Sequence, residues 1–263
     1  MIPKIVHYTW FSGEEMPQRI KDCMASWQRW LPDYEFRLWD REALEGIDSI
    51  FLKEALSVKK WAYAADYVRL YALYNEGGIY LDTDVIVFKP FDELLGNRSF
   101  IGKEDALQIT PLECKWVQYL SSHCMGAEPQ AEFVKDCLKY YEGRHFIQSY
   151  DESLPQSLRY NYVILPFVQA VVAHQDYGYD WRPKVQTIQY GKSGLVIYPT
   201  DYFCGHSYLS CSFCQHLALG SWREDYVQDR EKIPFLVKWK RRIVRKIKRI
   251  LLVRFSYIIQ KIH

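Results

Sequence analysis

The most constraining feature of this chain is a helix pattern that runs directly into a glycine pair and then a strand pattern. Small and apolar residues recur at helical spacing over residues 60–75. Gly77 and Gly78 then end the helix, because glycine readily adopts the left-handed conformation of a helix exit. Residues 79–88 are mostly apolar on both faces, as in a strand of a sheet that is covered on both sides. This order predicts an α/β fold.

Two carboxylates, Asp82 and Asp84, lie one residue apart where this strand ends. Side chains alternate along a strand, so we expect both on one face of it or of its bent end. Two carboxylates in such a place are costly to bury without a cation. Mg²⁺ and Mn²⁺ are commonly held by one or two carboxylates together with substrate phosphates. The pair therefore predicts a metal–diphosphate site.

Asp66 and Arg69 lie three residues apart on the predicted helix, so they share a face. Taken alone, a pair of this kind is more often an ordinary helix ion pair. Beside the Asp-x-Asp segment, a role in the same site is the favoured interpretation.

These segments resemble glycosyltransferase family 32 and, more distantly, the glucosyltransferases of the large clostridial toxins. The resemblance covers residues 1–223 in order and spacing. Four parts of the chain carry it. They are an opening strand (residues 2–10), a second strand (residues 32–40), the Asp-x-Asp segment (residues 77–84) with Ala65, Asp66 and Arg69 of its helix, and a carboxy-terminal signature of His216, Gly220, Ser221 and Trp222.

The resemblance implies a GT-A-type α/β fold, a nucleotide-binding sheet flanked by helices. It further implies retaining transfer from a nucleotide-diphosphate sugar, with uridine as the expected base, to a hydroxyl of a glycan or lipid-linked oligosaccharide. A front-face mechanism is expected, in which the diphosphate helps to deprotonate the acceptor. The expected cofactor is Mn²⁺ or Mg²⁺.

The resemblance also assigns roles to single residues. The catalytic set is Asp66, Arg69 and Asp82; the donor-binding set is Trp10, Tyr80, Asp82, Ser221 and Trp222; and the metal ligands are Asp82, Asp84 and His216. Trp10 is expected to stack on the base, and Tyr80 to line the same pocket. Ser221 and Trp222 are expected to close over the diphosphate. Taken one at a time, the two tryptophans are more typical of a protein core.

The last 32 residues differ in charge from the rest of the chain. Residues 232–263 hold 11 Lys or Arg and no acid, which leaves 23 basic against 32 acidic residues in 1–231. Apolar residues of this tail fall on one helical stripe, which predicts a basic amphipathic C-terminal helix suited to an anionic membrane surface. Packing of this helix on the acidic enzyme body stays open as an alternative, and a nucleic-acid patch is disfavoured. We expect a catalytic domain over 1–231 and a membrane-surface tail over 232–263.

The sequence shows neither a secretory signal nor an apolar run long enough to span a bilayer. Its seven cysteines are an odd number, which favours reduced thiols. Together these features predict a cytoplasmic protein, peripheral on the inner face of the cell membrane. A structural zinc site built from Cys204, His206, Cys211, Cys214 and His216 is a less favoured alternative.

Two other functions remain open. An apolar strand that ends in Asp-x-Asp also resembles the haloacid-dehalogenase phosphatases, in which Asp82 would attack phosphate and Asp84 would be the general acid. A non-catalytic sugar- or membrane-binding protein is the other. A thermal-stability measurement discriminates among these functions. A sugar nucleotide with manganese should stabilise a glycosyltransferase, whereas a phosphate monoester should stabilise a phosphatase.

Overall fold

The computed structural model describes residues 1–109, 116–205 and 207–219. Its strands are β1 (Ile5–Thr9), β2 (Glu35–Trp39), β3 (Gly78–Leu81), β4 (Val85–Val87), β5 (Ser99–Ile109), β6 (Trp116–Ala127), β7 (Gln189–Tyr190), β8 (Leu195–Tyr198) and β9 (Cys214–His216). Its helices are α1 (Gln18–Trp30), α2 (Ile50–Ser57), α3 (Trp61–Glu76), α4 (Glu132–Lys139), α5 (Gln156–Arg159), α6 (Leu165–Asp176) and α7 (Thr200–Phe203).

Seven of the strands form one mixed sheet in the order β2-β1-β3-β6-β5-β8-β7. The β2–β1, β1–β3 and β5–β8 pairs are parallel, and β6 runs antiparallel to both of its neighbours. Parallel neighbours need crossover connections, which α1, α2 and α3 supply in the first half of the chain.

Both faces of this sheet are covered. Within β3, Ile79 and Leu81 belong to one hydrophobic cluster, whereas Tyr80 between them belongs to the other. The first of these clusters includes Trp27 of α1, and the second includes buried residues of α2, α3, α4 and α6. Because strand side chains alternate between faces, the two clusters lie on opposite sides of the sheet. The predicted α/β sheet flanked by helices is confirmed.

The helix–glycine–strand prediction is also confirmed at its first junction. Helix α3 ends at Glu76, and Gly77 and Gly78 both have positive φ, 67° and 104°. Gly78 packs so closely on β1 that a Cβ there would lie 2.6 Å from the carbonyl oxygen of Ile5. Glycine is therefore required twice over, by conformation and by space.

The prediction of one continuous strand over residues 79–88 is wrong. Strand β3 ends at Leu81, and the chain turns there, with the Val85 amide donating to the Asp82 carbonyl at 3.0 Å. Strand β4 then leaves the main sheet and pairs with β9 in a separate two-stranded sheet. Asp82 and Asp84 consequently lie in the turn that joins two sheets. An apolar run cannot reveal this break, because both halves are buried.

The predicted strands over residues 2–10 and 32–40 are present as the shorter β1 and β2. The division at residue 231 stays a prediction, since residues 220–263, including the amphipathic tail, lie outside the described residues. Within the described part of the chain, none of the helices combines the length and apolar character needed to cross a bilayer.

We expect Gly78→Ala to lower the free energy of unfolding by about 3 kcal/mol, because the substitution combines a strained φ with a clash against backbone that cannot move away. Urea denaturation followed by circular dichroism measures this. Gly96→Ala is the control, since a Cβ at Gly96 meets nothing within 4 Å. Similar stability of the two variants would contradict the packing described here.

Candidate active site

The candidate site lies at the edge of the sheet where the parallel strands β1 and β3 end. Asp82 follows β3 directly, and its backbone amide donates to the carbonyl of His123 on β6 at 2.9 Å. Helix α3 leads into β3 after a single residue and packs against it, so its N-terminal end lies at this same edge. Residues from distant parts of the sequence therefore meet here.

Three side chains converge around the turn. One ligand atom from each of Asp82, Asp84 and His216 lies within 4.8 Å of the other two. His216 is the last residue of β9 and pairs with Val85, which places its ring beside the turn. Two carboxylates and one imidazole suit a divalent cation with positions left open for phosphate oxygens. The residues predicted as metal ligands are thus brought together.

Asp84 and His216 form an ion pair with 3.0 Å between the carboxylate oxygen and Nε2. The second oxygen of Asp84 accepts from the Leu219 amide at 2.8 Å. Burial acts to lower the pKa of His216, but the hydrogen bond and charge of Asp84 outweigh it and raise that pKa to about 9. Burial likewise acts to raise the pKa of Asp84, yet the His216 partner holds it below its ordinary value. In the absence of a metal, each group keeps the other charged.

Arg69 is a buried cation next to this cluster. It is 4% exposed, and its guanidinium lies 3.1 Å from an Asp66 oxygen and 3.3 Å from an Asp82 oxygen. It also donates to the carbonyl of Ser122 at 2.6 Å and to that of Ala65 at 3.2 Å. Burial acts to lower the pKa of Arg69, but the charges of Asp82 and other neighbours outweigh it and raise that pKa. The guanidinium therefore stays cationic. A buried guanidinium with four acceptors is a fixed positive charge beside the metal-ligand cluster.

Asp66 has both of its oxygens engaged. One pairs with Arg69, and the other accepts from the backbone amide of Leu165, the first residue of α6, at 3.0 Å. Burial raises the pKa of Asp66 to about 6, although Arg69 and the Leu165 amide both act to lower it. The predicted Asp66–Arg69 pairing is present, and it ties α3 to α6.

Tyr80 is 1% exposed and lies beneath the site. The Arg69 guanidinium carbon lies 4.6 Å from its ring centroid, and its hydroxyl lies 3.1 Å from the hydroxyl of Thr9. Its pKa is raised, mainly by burial. In this position Tyr80 supports Arg69 and Asp82. A direct contact of Tyr80 with a nucleotide stays a prediction.

The other predicted donor contacts are only partly described. Trp10 directly follows β1 at the site edge and is half-buried, with its indole N–H donating to the carbonyl of Glu14 at 2.7 Å. Stacking of Trp10 on a nucleotide base stays a prediction. Ser221 and Trp222 lie outside the described residues.

Two polar residues near the metal-ligand cluster were not predicted from the sequence. His123 is 2% exposed and stacks on His216 with ring centroids 4.5 Å apart. Glu104 on β5 has an oxygen 3.9 Å from the His123 ring, and burial raises its pKa. The sequence offered one signal, the polar run from Ser121 to His123 in an otherwise apolar strand.

The alternative zinc cluster does not form among the described residues. The His216 ring faces Asp84, Cys204 Sγ lies 3.8 Å from the His123 ring, and Cys214 Sγ lies 3.4 Å from the carbonyl oxygen of Phe203. His206 is outside the described part of the chain.

Residues 17–101 match the family described as "Glycosyltransferase sugar-binding region containing DXD motif". This stretch includes Asp66, Arg69, Tyr80, Asp82 and Asp84. This part of the chain is similar to DXD glycosyltransferases. The resemblance to sugar transferases seen in the sequence is confirmed.

Relatives of this glycosyltransferase region include inositol phosphoceramide mannosyltransferase 3 of Schizosaccharomyces pombe, 38% identical over 98 residues, which are 36% of this chain and 27% of the relative. Mannosyl phosphorylinositol ceramide synthase SUR1 of Saccharomyces cerevisiae is 30% identical over 154 residues, 56% of this chain and 37% of the relative. The chain thus spans about a third of the length of these relatives. Among solved structures, the PaToxG glycosyltransferase is 19% identical, with 66% of this chain and 70% of that chain covered and a TM-score of 0.44. At this TM-score the likeness supports no functional assignment.

We expect Asp84→Asn to lower the pKa of His216 in metal-free protein from about 9 toward its ordinary value of 6.5, since burial is then opposed only by the charges of Asp82 and Glu104. Proton NMR of the imidazole resonances measures this shift. Because the folded pKa is raised, the ion pair stabilises the wild type fully below pH 6.5, and this stabilisation is lost as the pH rises through 9. The variant should lack this pH-dependent contribution, and an unchanged His216 titration would refute the pairing.

Proposed function

We propose that this protein is a metal-dependent glycosyltransferase that moves a sugar from a nucleotide-diphosphate sugar to a hydroxyl of a glycan or lipid-linked acceptor. The observation that carries the proposal is the convergence of Asp82, Asp84 and His216 beside the buried cation of Arg69. Of these residues, Arg69, Asp82 and Asp84 lie in the segment that matches the DXD glycosyltransferase region. Uridine is the proposed base on the family resemblance. The names of the two relatives, a mannosyltransferase and a mannosyl phosphorylinositol ceramide synthase, add mannose as a candidate sugar.

The chemistry of sugar transfer explains why these residues lie together. Breaking the glycosidic bond leaves a negatively charged diphosphate and an oxocarbenium-like sugar. A bound Mn²⁺ or Mg²⁺ offsets charge on the leaving diphosphate. Asp82, Asp84 and His216 are the residues that would hold it. Arg69 keeps Asp82 in place with a 3.3 Å contact and adds a fixed positive charge close to the departing group.

A retaining mechanism without a protein nucleophile is part of the proposal. A nucleophilic carboxylate must be free to approach the sugar, with a second carboxyl group about 5 Å away. Here Asp66 is held by Arg69 and the Leu165 amide, and Asp84 by His216 and the Leu219 amide. These engagements favour positioning roles for the aspartates, with the diphosphate itself accepting the acceptor proton. Orientation of a donor-sugar hydroxyl by Asp66 is part of the proposal on the family resemblance.

The decisive experiment incubates the protein with Mn²⁺ and a panel of UDP- and GDP-sugars and follows release of free sugar. We expect one donor to be hydrolysed slowly, and Asp84→Ala to reduce that rate at least about a thousandfold, since metal stabilisation of the leaving group contributes several kcal/mol. Asp33→Ala is the matched control, because Asp33 pairs with Lys4 at an exposed site. A para-nitrophenyl phosphate arm tests the phosphatase alternative. Near-normal hydrolysis by Asp84→Ala, or turnover of the monoester alone, contradicts the proposal.

We also propose that the basic tail holds the protein on an anionic membrane surface, at the inner face of the cell membrane. The support is its sequence: 11 basic and no acidic residues in 232–263, with apolar residues on one helical stripe. An acceptor carried by a lipid is consistent with such a position.

Truncation after Glu231 should leave donor hydrolysis intact, because every proposed donor contact lies at or before Trp222. It should weaken binding to anionic vesicles, since each basic residue near such a surface contributes about 1 kcal/mol, screened by salt. Vesicle sedimentation at low and high salt compares the two forms, with neutral vesicles as the control. Equal sedimentation, or unfolding of the truncated protein, would instead indicate that the tail packs on the enzyme body.

A further inference from the structure

His123 lies between two of the three residues that would hold the metal. Its backbone carbonyl accepts from the Asp82 amide at 2.9 Å. Its ring stacks on that of His216, with centroids 4.5 Å apart and 25° between the ring planes. Asp82 follows a strand of the main sheet, whereas His216 ends a strand of the small two-stranded sheet. One residue of β6 therefore contacts ligands that come from both sheets.

The ring of His123 is itself held in one orientation. It is buried, its Nε2 donates to the carbonyl of Phe203 at 3.2 Å, and its Nδ1 accepts from the hydroxyl of Ser121 at 2.9 Å. A carbonyl can only accept, so the proton lies on Nε2 and leaves Nδ1 as the acceptor. Burial lowers the pKa of His123 well below its ordinary value, so the ring adds no positive charge that would repel a cation.

The ring of His216 has few other supports. Its Nε2 pairs with Asp84, and its Nδ1 has no hydrogen-bond partner among the described residues. In most metal sites the second ring nitrogen of a ligating histidine donates to a carbonyl or a carboxylate, and that bond fixes the orientation of the ring. In the described part of this chain, the face-to-face contact with His123 occupies the place of such a bond.

The contact with Asp84 cannot orient His216 once a cation is bound. The ion pair needs a proton on Nε2, whereas a histidine ligand must present a neutral nitrogen with a free lone pair. Nε2 is the nitrogen that faces Asp84, so the hydrogen bond between the two groups is lost when both become ligands. Of the contacts described here, the stack on His123 is the one that remains.

We propose that His123 is a positioning residue of the metal site: its ring fixes the plane of the His216 imidazole, while its backbone holds the turn at Asp82. Two flat faces in contact oppose tilting of either ring. The lone pair of His216 is thereby kept aimed at the cation without a second hydrogen bond. The inference rests on the proposed function, because it concerns the metal that this function needs.

Mn²⁺ binding to the full chain tests the inference, followed by the loss of the EPR signal of free Mn²⁺. His123→Leu keeps most of the side-chain volume but removes the ring. We expect it to weaken Mn²⁺ binding about tenfold, as for loss of the partner that orients a ligating histidine. His123→Phe keeps a flat ring but loses the bonds to Phe203 and Ser121. It should therefore be less stable than the wild type and still bind Mn²⁺ nearly as tightly.

His7→Leu is the matched control. His7 is also a buried imidazole of the main sheet, with Gly77 and Trp39 as its hydrogen-bond partners, and neither of these belongs to the metal-ligand cluster. This variant should lose stability in urea denaturation and keep the wild-type Mn²⁺ affinity. Equal Mn²⁺ affinity of the wild type and His123→Leu would overturn the inference, as would an equal loss in the Leu and Phe variants of His123.

A metal-free measurement separates this inference from the proposed function. Asp84→Ala lacks the ion pair, and nuclear Overhauser contacts of the His216 ring show whether it keeps a single orientation. We expect a single orientation in Asp84→Ala and a mixture of orientations when His123→Leu is added. A wild type that binds no Mn²⁺ would defeat the proposed metal site, while this comparison would still decide whether His123 fixes the ring. A single orientation in both variants would refute the positioning role.

Discussion

The buried guanidinium of Arg69 connects the parts of the candidate site. It pairs with Asp66 on its own helix, with Asp82 in the turn after β3, and with the carbonyl of Ser122 on β6. A cation that is 4% exposed is costly to bury unless acceptors surround it. Those acceptors come from three different elements, so the charge fixes their relative positions. Removal of Arg69 would leave two carboxylates facing each other without compensation.

The break after Leu81 has the next largest consequence. If β3 continued through residue 88, its carboxylates would lie along a strand within the main sheet. Instead the chain crosses to the small β4–β9 sheet, and the paired strand brings His216 against Asp84. A site at a junction between two sheets can gather ligands that are far apart in sequence. The polar turn also provides the irregular backbone that lets side chains point toward a ligand.

Charge is unevenly arranged around this centre. Asp82 and Asp84 supply negative charge where a cation is proposed, and Arg69 supplies positive charge next to it. Asp66 lies beside Arg69 and accepts from the Leu165 amide, so it ties α3 to the first residue of α6 next to these charges.

Local patterns in the sequence determined much of this protein. Helix α3, its end at Gly77 and the i, i+3 proximity of Asp66 and Arg69 follow from short-range geometry, which the spacing of residues encodes directly. The similarity to DXD glycosyltransferases is evident from the motif at Asp82 and Asp84. What the tertiary structure decided is non-local: the turn at Asp82, the contact of Leu165 with Asp66, and the stacking of His123 on His216. Each depends on which strand or helix lies next to which, and a buried apolar run is compatible with many such neighbours.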